Sequence, residues 1–365
     1  MYRKPAPKIH PASFAAGLDV TAPLEPGAPP RRVAVVLMSA VGSTVQAMPV
    51  VASLRRAWSR AHLTWVLQPG PAALMAGRPD VDRFLLFHRD LGARAYPRFR
   101  REVASEAFDL VICLQPNFKG GTVTRLLRAP TRLGYDRRRA RDLSWLATNR
   151  RIPPRPVAHV QDELFEFLDH LGVPRREEWD FHFTAEERDG QTRWRESLST
   201  SRRVLAVVPR SSNPHRNWTL DGLARVIDVA AGDLGLHPVL LGGDSEAELR
   251  DGRRLRALCS LPPRQELGGT LRQLAGRLAA SDMVLAPDTG PLHMAVALGT
   301  PTIGLYGYTD PKRSGPYARF LDLIVDRHSR DGERRPSRRT RPGRMAKIRV
   351  DEVVERLERA MDRYL

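Results

Sequence analysis

The residues best placed to do chemistry lie in one short run, "APDTGPLHMAVALG". There Asp288, Thr289, Gly290 and His293 fall between an apolar strand and a helix of small residues. Glycine at 290 lets backbone approach a ligand closely, and the N–H groups and dipole of a helix start favour an anion such as a pyrophosphate. Asp288 is equally the residue type expected for an N-cap, and His293, one turn in, equally suits a satisfied core position. The run by itself leaves both readings open.

Delivering such a cluster takes strands and helices in alternation, and the chain supplies them. "RRVAVVLM", "HLTWVLQ", "RFLLFH" and "FDLVICLQP" read as strands, with helices through "VQAMPVVASLRRAW" and "GGTVTRLLRAP". After the proline-rich "NRRIPPRPVAH" and the helix "HVQDELFEFLDHLGVP", the alternation restarts with the strands "RVLAVVP", "HPVLLGG", "DMVLAP" and "TPTIGLYG". Apolar strands with no polar face predict parallel sheets covered on both sides. The expected fold is α/β, two doubly wound Rossmann-like domains facing a central cleft. The expected boundaries are a disordered tail over residues 1–30, an N-terminal domain over 31–185, a C-terminal domain over 186–345 and an amphipathic helix over 346–365. Ligands of such sheets bind at the carboxyl ends of strands, so a ligand is expected between the domains.

Composition excludes several classes. No apolar run reaches the length of a membrane span, and prolines interrupt the place where a signal peptide needs its apolar segment. Cys113 and Cys259 are too few for a disulfide framework or a thiolate metal site, so a cytoplasmic protein is expected. The net charge of +18 is the one abnormal total. It suits nucleic acid, anionic lipid or phosphorylated small molecules, but arginine is spread throughout the chain, as a coding bias would leave it. The densest run, "RHSRDGERRPSRRTRPGR", has no interleaved aromatics, so it is expected to be a mobile solvated loop in contact with an anionic membrane at most; no nucleic-acid partner is expected.

"SSNPHRNW", "VLLGGDSEAE", the run around Asp288 and "GYTDPKRSGPY" follow one another in an order that resembles glycosyltransferase family nine, the ADP-heptose:lipopolysaccharide heptosyltransferases. "AMPVVASLRRAW", "FDLVICLQPNFKGG" and "TRLGYD" agree more loosely. The resemblance implies a GT-B fold and metal-independent, inverting transfer of a heptose-like sugar from ADP-heptose to a lipopolysaccharide core or related glycan, with no cofactor. By position it implies that Ser211, Ser212, Arg216, Glu246, Asp288, Thr289, Gly290 and His293 bind the donor. Arg216 stands where the family commonly has lysine, and a guanidinium can hold phosphate oxygens bidentately. Lys119, Arg141 and His159 are implied on the acceptor side, facing an anionic glycolipid, which makes peripheral contact with the inner face of the cytoplasmic membrane an expectation.

One position departs from the pattern. The family carries a Gly-Asp pair in its first turn, and that aspartate is the expected base. Here the turn reads "SAVGSTVQAMP", with Ser43 at the aspartate position. A serine hydroxyl cannot take a proton from a sugar hydroxyl unaided. It suits a helix cap, so the fold is expected to survive. The catalytic residue is therefore left open among Asp136, Asp142 and His159, and a non-catalytic sugar-nucleotide or glycan-binding relative is the alternative.

Overall fold

The computed structural model describes residues 29–365; the expected disordered tail over 1–30 lies almost wholly outside the described residues. The chain runs β1 (Arg32–Val36), α1 (Val41–Ala57), β2 (His62–Leu67), α2 (Pro69–Leu74), β3 (Arg83–Leu86), α3 (Ala95–Glu102), β4 (Leu110–Cys113), α4 (Phe118–Leu126), β5 (Thr131–Gly134) and β6 (Arg150–Arg151). Helices α5 (Val160–His170) and α6 (Ala185–Ser197) follow. Then come β7 (Val204–Val207), α7 (Leu220–Gly232), β8 (His237–Gly242), α8 (Glu246–Leu258), β9 (Arg264–Leu267), α9 (Leu271–Ala279), β10 (Met283–Pro287), α10 (Gly290–Leu298), β11 (Thr302–Tyr306), α11 (Pro311–Ser314), β12 (Ile324–Asp326) and α12 (Val350–Tyr364).

The strands form two six-stranded sheets, ordered β3-β2-β1-β4-β5-β6 and β12-β11-β10-β7-β8-β9. Every strand pairing is parallel. Strand order therefore reverses between β1 and β4 in one sheet and between β7 and β10 in the other, the places where an open sheet leaves a crevice. The central strands are apolar and wholly buried because helices cover both faces, as the missing polar alternation requires. The expected GT-B architecture of two Rossmann-like sheets is what the chain adopts.

Helices α1 and α10 join the two halves where they begin. A Cβ on Gly42 would stand 2.6 Å from Cδ2 of His293, and one on Gly290 would stand 3.0 Å from Cβ of Val41. Only glycine at these two positions lets the helix starts approach so closely. Farther along the seam, the Tyr317 hydroxyl donates to Asp162 at 2.7 Å. Arg272, on α9, donates to the carbonyls of Leu74 and Phe181 and pairs with Glu187.

The structure adds one helix and changes one expectation. The segment "TAEERDGQTRWRES" forms α6, although its charge-rich composition carries no apolar stripe; a reciprocal capping box between Thr184 and Glu187 starts it. The arginine-rich run is no free solvated loop. Arg338 donates to Glu163 across the seam at 3.2 Å, and Arg341 pairs with Glu333 at 2.6 Å. A buried carboxylate fixes Arg338 where composition alone predicts open solvent.

Candidate functional site at the facing strand ends

A cavity of about 510 Å³ opens at the carboxyl ends of β7, β8 and β9. Its volume falls in the range of small-molecule sites, roughly 300–1,000 Å³. Arg210 and Ser212 line it after β7, Gly242, Gly243 and Glu248 beside α8, and Thr289 and Gly290 at the start of α10. Ala40 and Val41, where α1 begins, close it from the other half. Gly268 and Gly269 both adopt positive φ, 97° and 92°, a conformation that favours glycine and turns the chain sharply into α9. A larger hollow of about 590 Å³ lies between α6 and α9 and shares Thr270 with this cavity.

Asp288 is the hub of the site. It follows β10 and is 3 % exposed. Its Oδ1 lies 3.3 Å from His293 Nε2, and its Oδ2 accepts from Thr309 Oγ1 at 2.6 Å and faces Arg216 Nη1 at 3.3 Å. Burial alone would raise its pKa, but the bond from His293, the Arg216 charge and the Thr309 bond together hold it below the usual value. It stays a carboxylate. It does not cap α10, since Thr289 holds the cap position and contributes no side-chain bond; His293, Thr309, Arg216 and, at 3.5 Å, Ser314 Oγ claim its oxygens instead.

The other expected donor-side residues spread around this hub. Ser211 is buried, its N–H bonded to Asn217 Oδ1 at 2.7 Å, while Ser212 is exposed in the cavity wall. Arg216 also donates to the Asp288 carbonyl at 3.2 Å. Glu246 is exposed in the first turn of α8 and is not in the cavity wall, whereas Glu248 is. Glu248 accepts from the Gly243 N–H at 2.8 Å and closes a capping box with Ser245. The "SEAE" spacing held the signal, because a serine followed three residues later by glutamate is a capping box.

On the facing half, Lys119 is exposed in the first turn of α4, and Arg141 is exposed in the loop beside it, its N–H bonded to the Pro116 carbonyl. His159 is set apart from them. It caps α5, with Nδ1 accepting from Gln161 N–H and Nε2 bonded to the Gly315 carbonyl at 3.0 Å. Burial pulls its pKa down to about 4, more than the Gly315 bond restores, so it is neutral at pH 7 and both ring nitrogens are engaged. Asp136 is spoken for as well, since Arg139 Nε bonds it at 2.5 Å inside the fold. Asp142 is exposed in a left-handed turn. Ser43 does not cap α1; Ala40 holds that position, and Ser43 sits half-buried in the first turn.

One imidazole reaches the seam with a nitrogen to spare. His293 packs against Gly42, the residue before Ser43, and Asp288 engages its Nε2. Among the described residues no protein group bonds its Nδ1. Sequence alone places His293 near Asp288 but does not show that their side chains meet, nor the contact with Gly42, which crosses the seam.

Residues 96–337 match the family described as Glycosyltransferase family 9 (heptosyltransferase). The lipopolysaccharide core heptosyltransferase OpsX of Haemophilus influenzae is 27% identical over 307 residues, covering 84% of this chain and 87% of that protein. Lipopolysaccharide heptosyltransferase 1 of Escherichia coli K12 is 25% identical over 302 residues, covering 79% and 91%. Among solved structures, a glycosyl transferase family 9 protein from Veillonella parvula superposes with a TM-score of 0.77 at 20% identity, covering 91% of this chain and 97% of that one. The E. coli heptosyltransferase WaaC with ADP gives 0.69 at 22% identity, covering 90% and 99%. These structural likenesses are likenesses of fold.

Proposed function

The chain belongs to glycosyltransferase family 9, the heptosyltransferases, and we propose that it moves a heptose-like sugar from ADP-heptose to an anionic lipopolysaccharide-core acceptor, with inversion and without a metal. The observation that carries this reading is the meeting of α1 and α10 in the wall of the 510 Å³ cavity, through Val41 and Gly290, with Asp288, His293 and Arg216 next to that wall but not in it. In this reading the nucleoside diphosphate fills the cavity, its ribose beside Glu248 and its diphosphate near Ser211, Ser212, Arg216 and the start of α10. Glu246 keeps a donor-side role only if the first turn of α8 moves on binding. Lys119 and Arg141 supply positive charge toward the acceptor, and His159 acts as a neutral strut between the halves. The protein works in the cytoplasm, at the inner face of the membrane where such acceptors are built.

The acceptor hydroxyl attacks the anomeric carbon, the bond from that carbon to the diphosphate oxygen breaks, and the diphosphate leaves with the electron pair. The hydroxyl proton must go somewhere, and Ser43 cannot take it. His293 takes it. Its free Nδ1 accepts the proton while Asp288, held ionised, balances the imidazolium that forms. Arg216 then meets the charge gathering on the departing diphosphate.

Ser43 favours a second reading, a non-catalytic relative that binds a sugar nucleotide or glycan without transferring it. A parent that binds donor but transfers nothing, together with a Ser43→Asp variant that gains no turnover, selects that reading. Loss of sugar-nucleotide binding in Arg216→Ala and Asp288→Ala variants supports a donor site here; unchanged binding in both removes it.

A further inference from the structure

Phe118, Leu143 and Leu146 are 59%, 63% and 63% exposed, well above the burial usual for such side chains. They come from two adjoining elements, α4 and the short turn of residues 144–147 that Leu143 opens. These elements approach backbone to backbone, since a Cβ on Gly121 would stand 3.0 Å from Cα of Ser144. The Ser144 hydroxyl pins the turn by donating to the Pro116 carbonyl at 3.0 Å. Asp142 and Leu143 hold positive φ, 51° and 58°, a conformation that costs a non-glycine residue free energy. The chain bears that strain in a turn that leaves Leu143 and Leu146 in water.

A rim of cations surrounds them. Lys119, Arg137, Arg138 and Arg141 are all exposed, and Asp142 is the only exposed acid from residue 117 to 147. Asp136 offers no counter-charge outside, because Arg139 holds it within. The Arg137 guanidinium lies 4.4 Å from the centre of the half-buried Trp145 ring, and Arg151 lies 5.4 Å from it. Leucine, phenylalanine and tryptophan ringed by guanidinium groups make a face that is apolar at its centre and positive at its edge. A lipid surface with anionic headgroups matches both parts at once. The patch follows the carboxyl ends of β4 and β5, on the same side of the sheet as the cleft.

We infer that this face, and not the arginine-rich run near the C-terminus, is the surface that docks the protein on an anionic bilayer. Docking there would bring the cleft to the headgroups. The inference rests on the proposed reading only in that a lipid-linked acceptor lies in a membrane. It is tested without donor or acceptor, so its failure leaves the transfer reading standing.

The experiment is flotation of the full chain with phosphatidylcholine vesicles, with and without phosphatidylglycerol. It is run on the parent, on a Leu143→Asn/Leu146→Gln double variant and on an Arg137→Glu/Arg138→Glu double variant. Asparagine tolerates the left-handed turn, so the first variant keeps the backbone. The parent is expected to float with the phosphatidylglycerol vesicles and to lose that binding in high salt. Each double variant is expected to bind about tenfold or more weakly, as removing two partly inserted leucines or reversing two charges beside an anionic surface requires. Three outcomes overturn the inference: a parent that binds neither vesicle, leucine variants that bind as the parent does, or a dimeric parent that the leucine changes turn into monomers, which would give the face to a second copy of the chain.

Discussion

Replacing His293 with asparagine removes the proposed base and, because the shorter amide reaches only as far as the Nδ1 position, removes the bond to Asp288 as well. The imidazole fills the space against Gly42, where a Cβ would come within 2.6 Å of its Cδ2, so the smaller amide leaves a gap at the seam. A void of about 40 Å³ costs about 1 kcal/mol of stability, which a folded two-domain protein survives. Loss of a general base costs far more in rate, about 10²- to 10⁴-fold in kcat, or about 3–5 kcal/mol of barrier. Donor affinity is expected to hold, because Arg216 and Asp288 remain. The assay is transfer to a phosphorylated core acceptor, with donor affinity measured separately by calorimetry. Adding Ser43→Asp to the variant places a carboxylate in the first turn of α1, beside Gly42, where a helix N-terminus tolerates it. That double variant is expected to regain at least part of the lost turnover. The reasoning fails if His293→Asn keeps its kcat, or if its loss of rate is matched by an equal loss of donor affinity.

Arg216→Ala should weaken sugar-nucleotide binding about ten- to hundredfold, the worth of a charge-assisted contact to phosphate, as read by calorimetry. His159, held neutral with a folded pKa of about 4 against 6.5 when unfolded, contributes stability that is complete above about pH 6.5 and is lost as pH falls toward 4. The loss amounts to about 3 kcal/mol, and urea melts at pH 7 and pH 5 should show part of it; His159→Asn, which can still cap α5, should flatten that dependence. Arg272→Ala strips the Leu74 and Phe181 carbonyls of their side-chain donor and Glu187 of its cation, and should destabilise the protein by about 3 kcal/mol, visible as a lower Tm.

The architecture was legible because burial dictates composition. Strands covered on both faces carry runs such as "RVAVV" and "MVLAP", which need no alignment to be seen. Short edge strands such as Arg150–Arg151 and Arg264–Leu267 carry no such run, since their side chains are only partly buried. The candidate donor site was legible as a cluster because Asp288, Thr289, Gly290 and His293 are close in sequence. What their side chains do was not. The distant partners of Asp288 arrive from residues 216, 309 and 314, and the tie of His159 runs to residue 315. Such pairings are set by how two sheets face each other, which no local pattern encodes. The arginine-rich run shows the same limit, for Arg338 owes its place to Glu163 on the other half of the molecule.

The central claim is that the cavity between the sheets holds a sugar nucleotide. Titrating the purified protein with ADP-heptose and a panel of other sugar nucleotides, in buffer containing chelator, tests it most directly. Saturable micromolar binding of ADP-heptose, weakened about ten- to hundredfold in Arg216→Ala, is the result this account predicts. A folded protein that binds none of the sugar nucleotides contradicts it.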